Sequence, residues 1–167
     1  VLDNSHDRIR SVATDESKKY VALEYEGAKS ATHLIILQRA ETTDAATDEG
    51  APPEEHNVGS LQGYTLLHYL KPSQVKMFLG FYNGNVVYLG PHLWVRTANL
   101  KVLRQGNKRF FKHFFIPHEY IGGNYCVQAV VGRSGEVVFP RRGMLVVVRG
   151  GISQSKKPPT RDPSTGH

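Results

Sequence analysis

This sequence predicts an all-β fold, and three observations carry the prediction. Apolar residues fall in short runs of strand length, turn-forming residues separate the runs, and almost nothing recurs at a helical period. The chain has 167 residues, 22% charged and 40% hydrophobic, enough for one compact domain and unlike a fibre, a collagen or a fully disordered chain.

Taken in order, Ile9 to Ala13 and Tyr20 to Tyr25 are strands flanking the polar connection Asp15-Glu-Ser-Lys-Lys19. His33-Leu-Ile-Ile-Leu37 follows as a strand of buried type, and Tyr64 to Leu70 is the next, ending at Lys71-Pro72. Val75 to Tyr82 and Asn85 to Leu89 are joined by Asn83-Gly84, the dipeptide that most readily takes positive φ at both centres of a type I′ turn. His92 to Leu100 and Arg109 to Ile116 complete this group, closed by Pro117. Tyr125 to Val131, a turn at Ser134-Gly135, Glu136 to Phe139 and Met144 to Arg149 then repeat the order strand, glycine turn, strand, break, strand.

Placing Asn83-Gly84 over Ser134-Gly135 sets Val86-Val-Tyr88 over Val137-Val-Phe139 at an offset of 51 residues, with Pro91 and Pro140 close behind. The first segment fits more loosely, with Tyr20-Val-Ala-Leu23 over Val86-Val-Tyr-Leu89 and His33-Leu34 over His92-Leu93. Repetition of about four strands per 40 to 50 residues predicts a partial β-propeller of about three WD-like blades. A β-sandwich is the alternative. The opening His6-Asp-Arg-Ile-Arg-Ser-Val12 resembles the start of a WD-repeat blade, where a polar His-Asp pair precedes the innermost strand, and that resemblance implies a hydrogen bond from His6 across a blade. About three blades should not close alone; they would complete a larger propeller or leave strand edges that favour association.

The resulting organisation is a first blade-like unit at 1–39, an acidic disordered insertion at 40–60, two further units at 61–152 and a disordered tail at 153–167. Residues 41–55 hold six carboxylates, two prolines and no large apolar side chain, so they can build no core. Residues 1–60 carry 6 Lys/Arg against 12 Asp/Glu and residues 61–167 carry 15 against 3, so the halves are −6 and +12. The single cysteine, Cys126, excludes an internal disulfide framework and suits a reducing compartment. No apolar run reaches the roughly 20 residues of a membrane helix and the N-terminus is no signal peptide, which gives the expectation of a soluble, cytoplasmic protein with no membrane partner. The absent initiator methionine suggests a fragment or a processed chain.

Residues 75–150 resemble the C-terminal repeat region of fungal NACHT-type signal-transduction NTPases, relatives of NOD-like receptors. The resemblance is carried by Val86-Val-Tyr-Leu89 with His92-Leu-Trp-Val95, by Lys108-Arg-Phe-Phe-Lys-His-Phe-Phe-Ile-Pro117, and by Ser134-Gly-Glu-Val-Val-Phe-Pro-Arg-Arg-Gly143 leading into Val146-Val-Val-Arg149. The chain departs from the family pattern at Tyr120, where tryptophan is usual, and at Phe139-Pro-Arg-Arg-Gly143, which replaces a Cys-Pro-x-Asn-Gly turn. The resemblance implies a sensor or scaffold end of a multidomain switch. No Gly-x-x-x-x-Gly-Lys-Ser/Thr stretch is present, so no phosphate loop is assigned here.

Candidate chemistry is sparse. Cys126 with His113 or His118 is the one nucleophile pairing the composition permits, but Cys126 sits in an apolar strand where cysteine behaves as a small hydrophobe. Glu24 and Glu26 share a strand face and read as solvated. The eight histidines form no metal-ligand spacing. Arg109-Phe-Phe-Lys-His-Phe-Phe115 suggests base stacking beside cations. By alternation, however, Phe111, His113 and Phe115 oppose Phe110, Lys112 and Phe114, so both faces are largely apolar and a core strand is expected. Trp94 reads as a core anchor with Arg96 on its face. No catalytic residue, metal or cofactor is assigned. The expectation is a non-catalytic interaction module binding a protein ligand, or the rest of a larger propeller, through Arg104, Lys108, Arg141 and Arg142. The alternative is a basic nucleic-acid-binding β-module.

Overall fold

The computed structural model describes residues 8–27, 30–40, 63–107, 109–121, 129–141 and 143–152. Its strands are β1 (Arg8–Thr14), β2 (Tyr20–Gly27), β3 (Ala31–Arg39), β4 (Tyr64–Leu70), β5 (Met77–Tyr82), β6 (Asn85–Leu89), β7 (Trp94–Asn99), β8 (Phe110–Phe115), β9 (Val130–Val131), β10 (Val137–Arg141) and β11 (Met144–Val148). Two short helices, α1 (Leu100–Arg104) and α2 (His118–Ile121), interrupt them. The strands form three antiparallel sheets, β1-β2-β3-β4, β5-β6-β7-β8 and β9-β10-β11, each in chain order and none closed on itself.

The all-β prediction holds, and most strand positions agree with the sequence reading. Asn83 and Gly84 both take positive φ, 46° and 69°, between the paired residues Tyr82 and Asn85, as the type I′ turn requires. Gly135, set over Gly84 by the repeat, also has positive φ, 81°. Four details differ. His92 to Leu100 is not one strand. Pro91–Leu93 form a 3-10 turn with His92 at φ 56°, and Leu100 opens α1 because Asn99 caps it by accepting hydrogen bonds from the N–H groups of Lys101 and Val102. Val75 lies ahead of β5 in a turn. The third sheet's middle strand runs on through Pro140; β9 pairs only with Val137 and Val138, so no β9 residue stands opposite the proline. Of the strand expected at Tyr125 to Val131, β9 is the described part; Cys126, the acidic insertion, the tail and His6 lie outside the described residues.

The sheets lie in layers, with the middle sheet covered on both faces. Val86, Tyr88 and Ala98 pack with Ala22, Leu34, Ile36 and Leu70 of the first sheet. The alternate residues Val87, Leu89 and Val95 pack with Val137 and Phe139 of the third. Strand β1 contacts β5, and β5 contacts β9, so the leading strands of the three sheets run side by side. The layers come close. A Cβ on Gly80 would lie 2.6 Å from Val131 Cγ1, and one on Gly135 would lie 2.6 Å from Tyr82 Cζ.

This layering corrects the looser half of the repeat. Val21 pairs with Leu37 and Ala22 with Ile36, and it is Ala22 that faces the middle sheet, whereas Tyr88, set over Ala22 by the sequence alignment, faces back toward the first sheet. Equivalent faces need a register shifted by one residue, and a single-residue slip reverses every side chain of a strand.

Candidate functional site

A cleft of about 970 Å³ opens where the β1–β2 turn faces the Asn83-Gly84 turn and α1. One wall comes from Asp15, Glu16, Ser17 and Lys19, and the other from Asn83, Asn99, Lys101 and Arg104. Local chemistry holds both walls. Asp15 accepts hydrogen bonds from Ser17 N–H at 3.2 Å, from the Ser17 hydroxyl and from Tyr20 N–H at 2.8 Å, which folds the turn on its own carboxylate. Opposite, Leu100 N–H donates to Gly84 O, Asn99 Nδ2 donates to Asn85 Oδ1, and Asn85 Nδ2 donates to the carbonyls of Tyr82 and Asn83. The hairpin turn and the start of α1 therefore move as one piece.

Lys101 and Arg104 stand exposed on α1, and neither is in an ion pair among the described residues. Glu16 is exposed on the facing turn. The cleft thus sets Asp15, Glu16 and Lys19 of the β1–β2 turn against the cations of α1, an arrangement suited to an extended polar segment. Arg104, one of the four expected binding cations, lines it. Lys108 and Arg142 lie outside the described residues, and Arg141 ends β10 in the third sheet, a strand that contributes no residue to the cleft lining. Sequence reasoning missed Lys101, Asn99 and Glu16. The signal for α1 was present as a capping asparagine before Leu100-Lys-Val-Leu-Arg104, with leucines three apart.

Glu24 corrects the expectation of a solvated carboxylate. It is 5% exposed, and its Oε1 accepts from Phe78 N–H of the middle sheet at 3.2 Å while Oε2 accepts from the Ser11 hydroxyl at 3.0 Å. Burial raises its pKa above the ordinary range, and the hydrogen bonds from Phe78 and Ser11 only partly offset that. Glu26 points the other way in character: it pairs with Arg10 at 2.9 Å, and hydrogen bonding, from Ser30 first, lowers its pKa. Glu24 is an interlayer tie.

The β8 expectation also changes. Among the described residues β8 is the edge of the middle sheet, pairing only with β7, and Phe111 and Phe115 remain 46% and 48% exposed. A register shift opposite Val95 breaks the simple alternation and puts Phe115 with Lys112, beside Trp94. The Trp94 and Phe115 ring centroids are 6.2 Å apart, and Lys112 Nζ lies 5.8 Å from the Trp94 ring. Trp94 is half-buried and carries Lys112 as its cation; Arg96 instead sits across from Tyr88, whose phenol burial pushes up to about 12 against the opposing pull of Arg96. His113 Nε2 meets the Thr97 hydroxyl at 2.8 Å, and burial lowers its pKa.

Among the described residues no group of three or more His, Cys, Asp or Glu could hold a metal ion, and no helix is long and apolar enough to cross a membrane. No protein-family model, curated protein or solved structure matches the chain.

Proposed function

We propose that this chain is a non-enzymatic interaction module whose three sheets are blades of a β-propeller, with the cleft between the turns of the first two sheets as its ligand groove. One observation supports the reading above others: a middle sheet buried on both faces between neighbours of the same strand order, with the leading strands adjacent. A two-layer sandwich has no such middle sheet. Lys101 and Arg104 then recognise carboxylates of a bound protein segment, and Asp15 and Glu16 disfavour segments that are acidic throughout. Display of a random peptide library on the full chain tests the groove. Peptides with an isolated Asp or Glu are expected, losing tenfold or more in affinity to Arg104→Glu and to Lys101→Glu; binders indifferent to both substitutions place the groove elsewhere.

The proposal extends to the parent protein: the segment serves as the sensing end of a NACHT-type signal-transduction NTPase acting in the cytoplasm. A phosphate-loop motif in the reading frame upstream of Val1 supports that extension, and a frame without one removes it.

A second reading draws on β8. Its exposed Phe111 and Phe115, with Lys112 and Arg109 alongside, offer stacking and charge to a single strand of nucleic acid. Titration with a random-sequence oligonucleotide at rising salt separates the two: tight binding with a steep salt slope favours this reading, and absence of binding at low salt dismisses it.

A further inference from the structure

The outer face of the third sheet carries exposed apolar side chains. In the β10 and β11 register, Val138 pairs with Val147 and Pro140 with Leu145, while Val130 of β9 pairs with Val138. These alternate with Val137 and Phe139, which face the middle sheet. Leu145 is 71% exposed, Val130 52% and Val147 45%. A depression of about 460 Å³ lies on this face, with Val138 and Val147 in its lining and Glu136 and Arg149 beside them.

The opposite end of the stack has a corresponding face. In the first sheet, Ala22, Leu34 and Ile36 face the middle sheet, so the alternate residues Leu23 and Ile35, with Val12 opposite Leu23 and Leu66 opposite Leu37, line the outside. Val12 and Leu66 are 58% and 64% exposed.

The repeat says what fits between them. With Val86-Val-Tyr88 over Val137-Val-Phe139, Val138 of the third sheet is the equivalent of Val87, and Val87 is covered by the next sheet along. The face covering it holds Val137 and Phe139, which in the first sheet corresponds to its outer face. Contact between the first and middle sheets and contact between the middle and third are thus two copies of one contact. The two outer faces are its unmatched halves, each with exposed apolar side chains.

We propose that a second copy of this chain supplies the missing partner. The outer face of the third sheet of each copy seats on the outer face of the first sheet of the other, and two copies close a ring about a two-fold axis. Two copies of the three sheets make six, within the roughly four to eight that close such rings. The inference goes beyond the ligand groove and needs only the layering, so it survives if peptide display finds no binder.

Sedimentation equilibrium of the full chain over a wide concentration range, with Leu145→Glu and Val12→Glu as separate variants, tests the ring. The expected wild-type mass is twice the 18.6 kDa of one chain. Each variant is expected to be monomeric with an unchanged far-UV CD spectrum, and an equimolar mixture of the two to regain the dimer mass, since one intact contact is restored. Val147→Lys and Leu66→Lys repeat the test at second positions should either first variant lose its fold. A monomeric wild type overturns the proposal. So does a dimer broken by Leu145→Glu and indifferent to Val12→Glu, which means third sheets pairing with each other. Mass that keeps growing with concentration overturns closure.

Discussion

Replacing Gly135 by Ala probes the packing of the third sheet on the middle one, with Gly84→Ala as its matched control. Gly84 ends a two-residue turn and Gly135 a three-residue one, and both have similar positive φ, 69° and 81°, so alanine suffers a similar left-handed penalty at each, about 1 to 2 kcal/mol. Their surroundings differ. Nothing lies within 4 Å of a Cβ on Gly84, whereas a Cβ on Gly135 would sit 2.6 Å from Tyr82 Cζ and 2.9 Å from its hydroxyl oxygen. Tyr82 packs against the core between these two sheets, so moving it overpacks that core by a further cost of about 1 to 3 kcal/mol. For a chain of this size each kcal/mol shifts Tm by about 2 to 4 °C, and Gly135→Ala should melt about 2 to 12 °C below Gly84→Ala. Calorimetry or CD melting measures the difference. Shortening the ring in Tyr82→Leu should rescue most of the extra loss in Gly135→Ala and none of the loss in Gly84→Ala. Equal melting of the two alanine variants, or Tyr82→Leu and Gly135→Ala losses that simply add, would refute the close approach of the two sheets.

Four further outcomes follow from three side chains. Because the folded pKa of Glu24 lies above the ordinary 4.5, its protonated form is favoured in the folded state. Its contribution is therefore greatest below that value and is lost as pH rises through it toward the folded pKa; Glu24→Gln should remove this component from the wild-type pH profile of Tm, and superimposable profiles would show Glu24 to be solvated. Glu24→Leu, by contrast, strands the Phe78 N–H and the Ser11 hydroxyl and should cost about 1 to 3 kcal/mol in denaturant unfolding. His113 is held neutral by burial, so its contribution is present above the ordinary 6.5 and lost as pH falls below it; His113→Gln should flatten that acid-side loss, and an NMR titration placing the imidazole at or above 6.5 would contradict it. Asn99→Ala removes both the α1 cap and the tie to Asn85, and an expected loss of about 1 kcal/mol should be accompanied by shifted amide resonances at the Asn83-Gly84 turn.

Much of the strand map was legible before any coordinates. Tyr64 to Leu70 and Asn85 to Leu89 coincide with β4 and β6, because each is an apolar run bounded by glycine, asparagine or proline, and those boundaries are local. The Asn83-Gly84 turn was legible for the same reason. The cleft was legible only in part. Arg104 could be picked as an exposed cation, but its partners across the groove lie in a turn almost ninety residues earlier, and only packing of the first two sheets brings them together. The helix carrying Lys101 and Arg104 is too short for a helical period to stand out against strand-like neighbours, and its cap residue was read as the end of a strand.

The sequence by itself determined where the chain alternates and where it must turn, since side-chain period and positive φ are properties of a few adjacent residues. Which of two apolar faces meets another sheet is a long-range fact, decided by register and stacking between segments far apart in the chain. Period-two alternation assigned Phe111 and Phe115 to a face without saying that no strand would lie beyond them. Glu24 was read as solvated because alternation placed it correctly and could not say what would cover it. Tertiary structure decided both, because burial depends on what arrives from elsewhere in the chain, and local spacing carries no record of that.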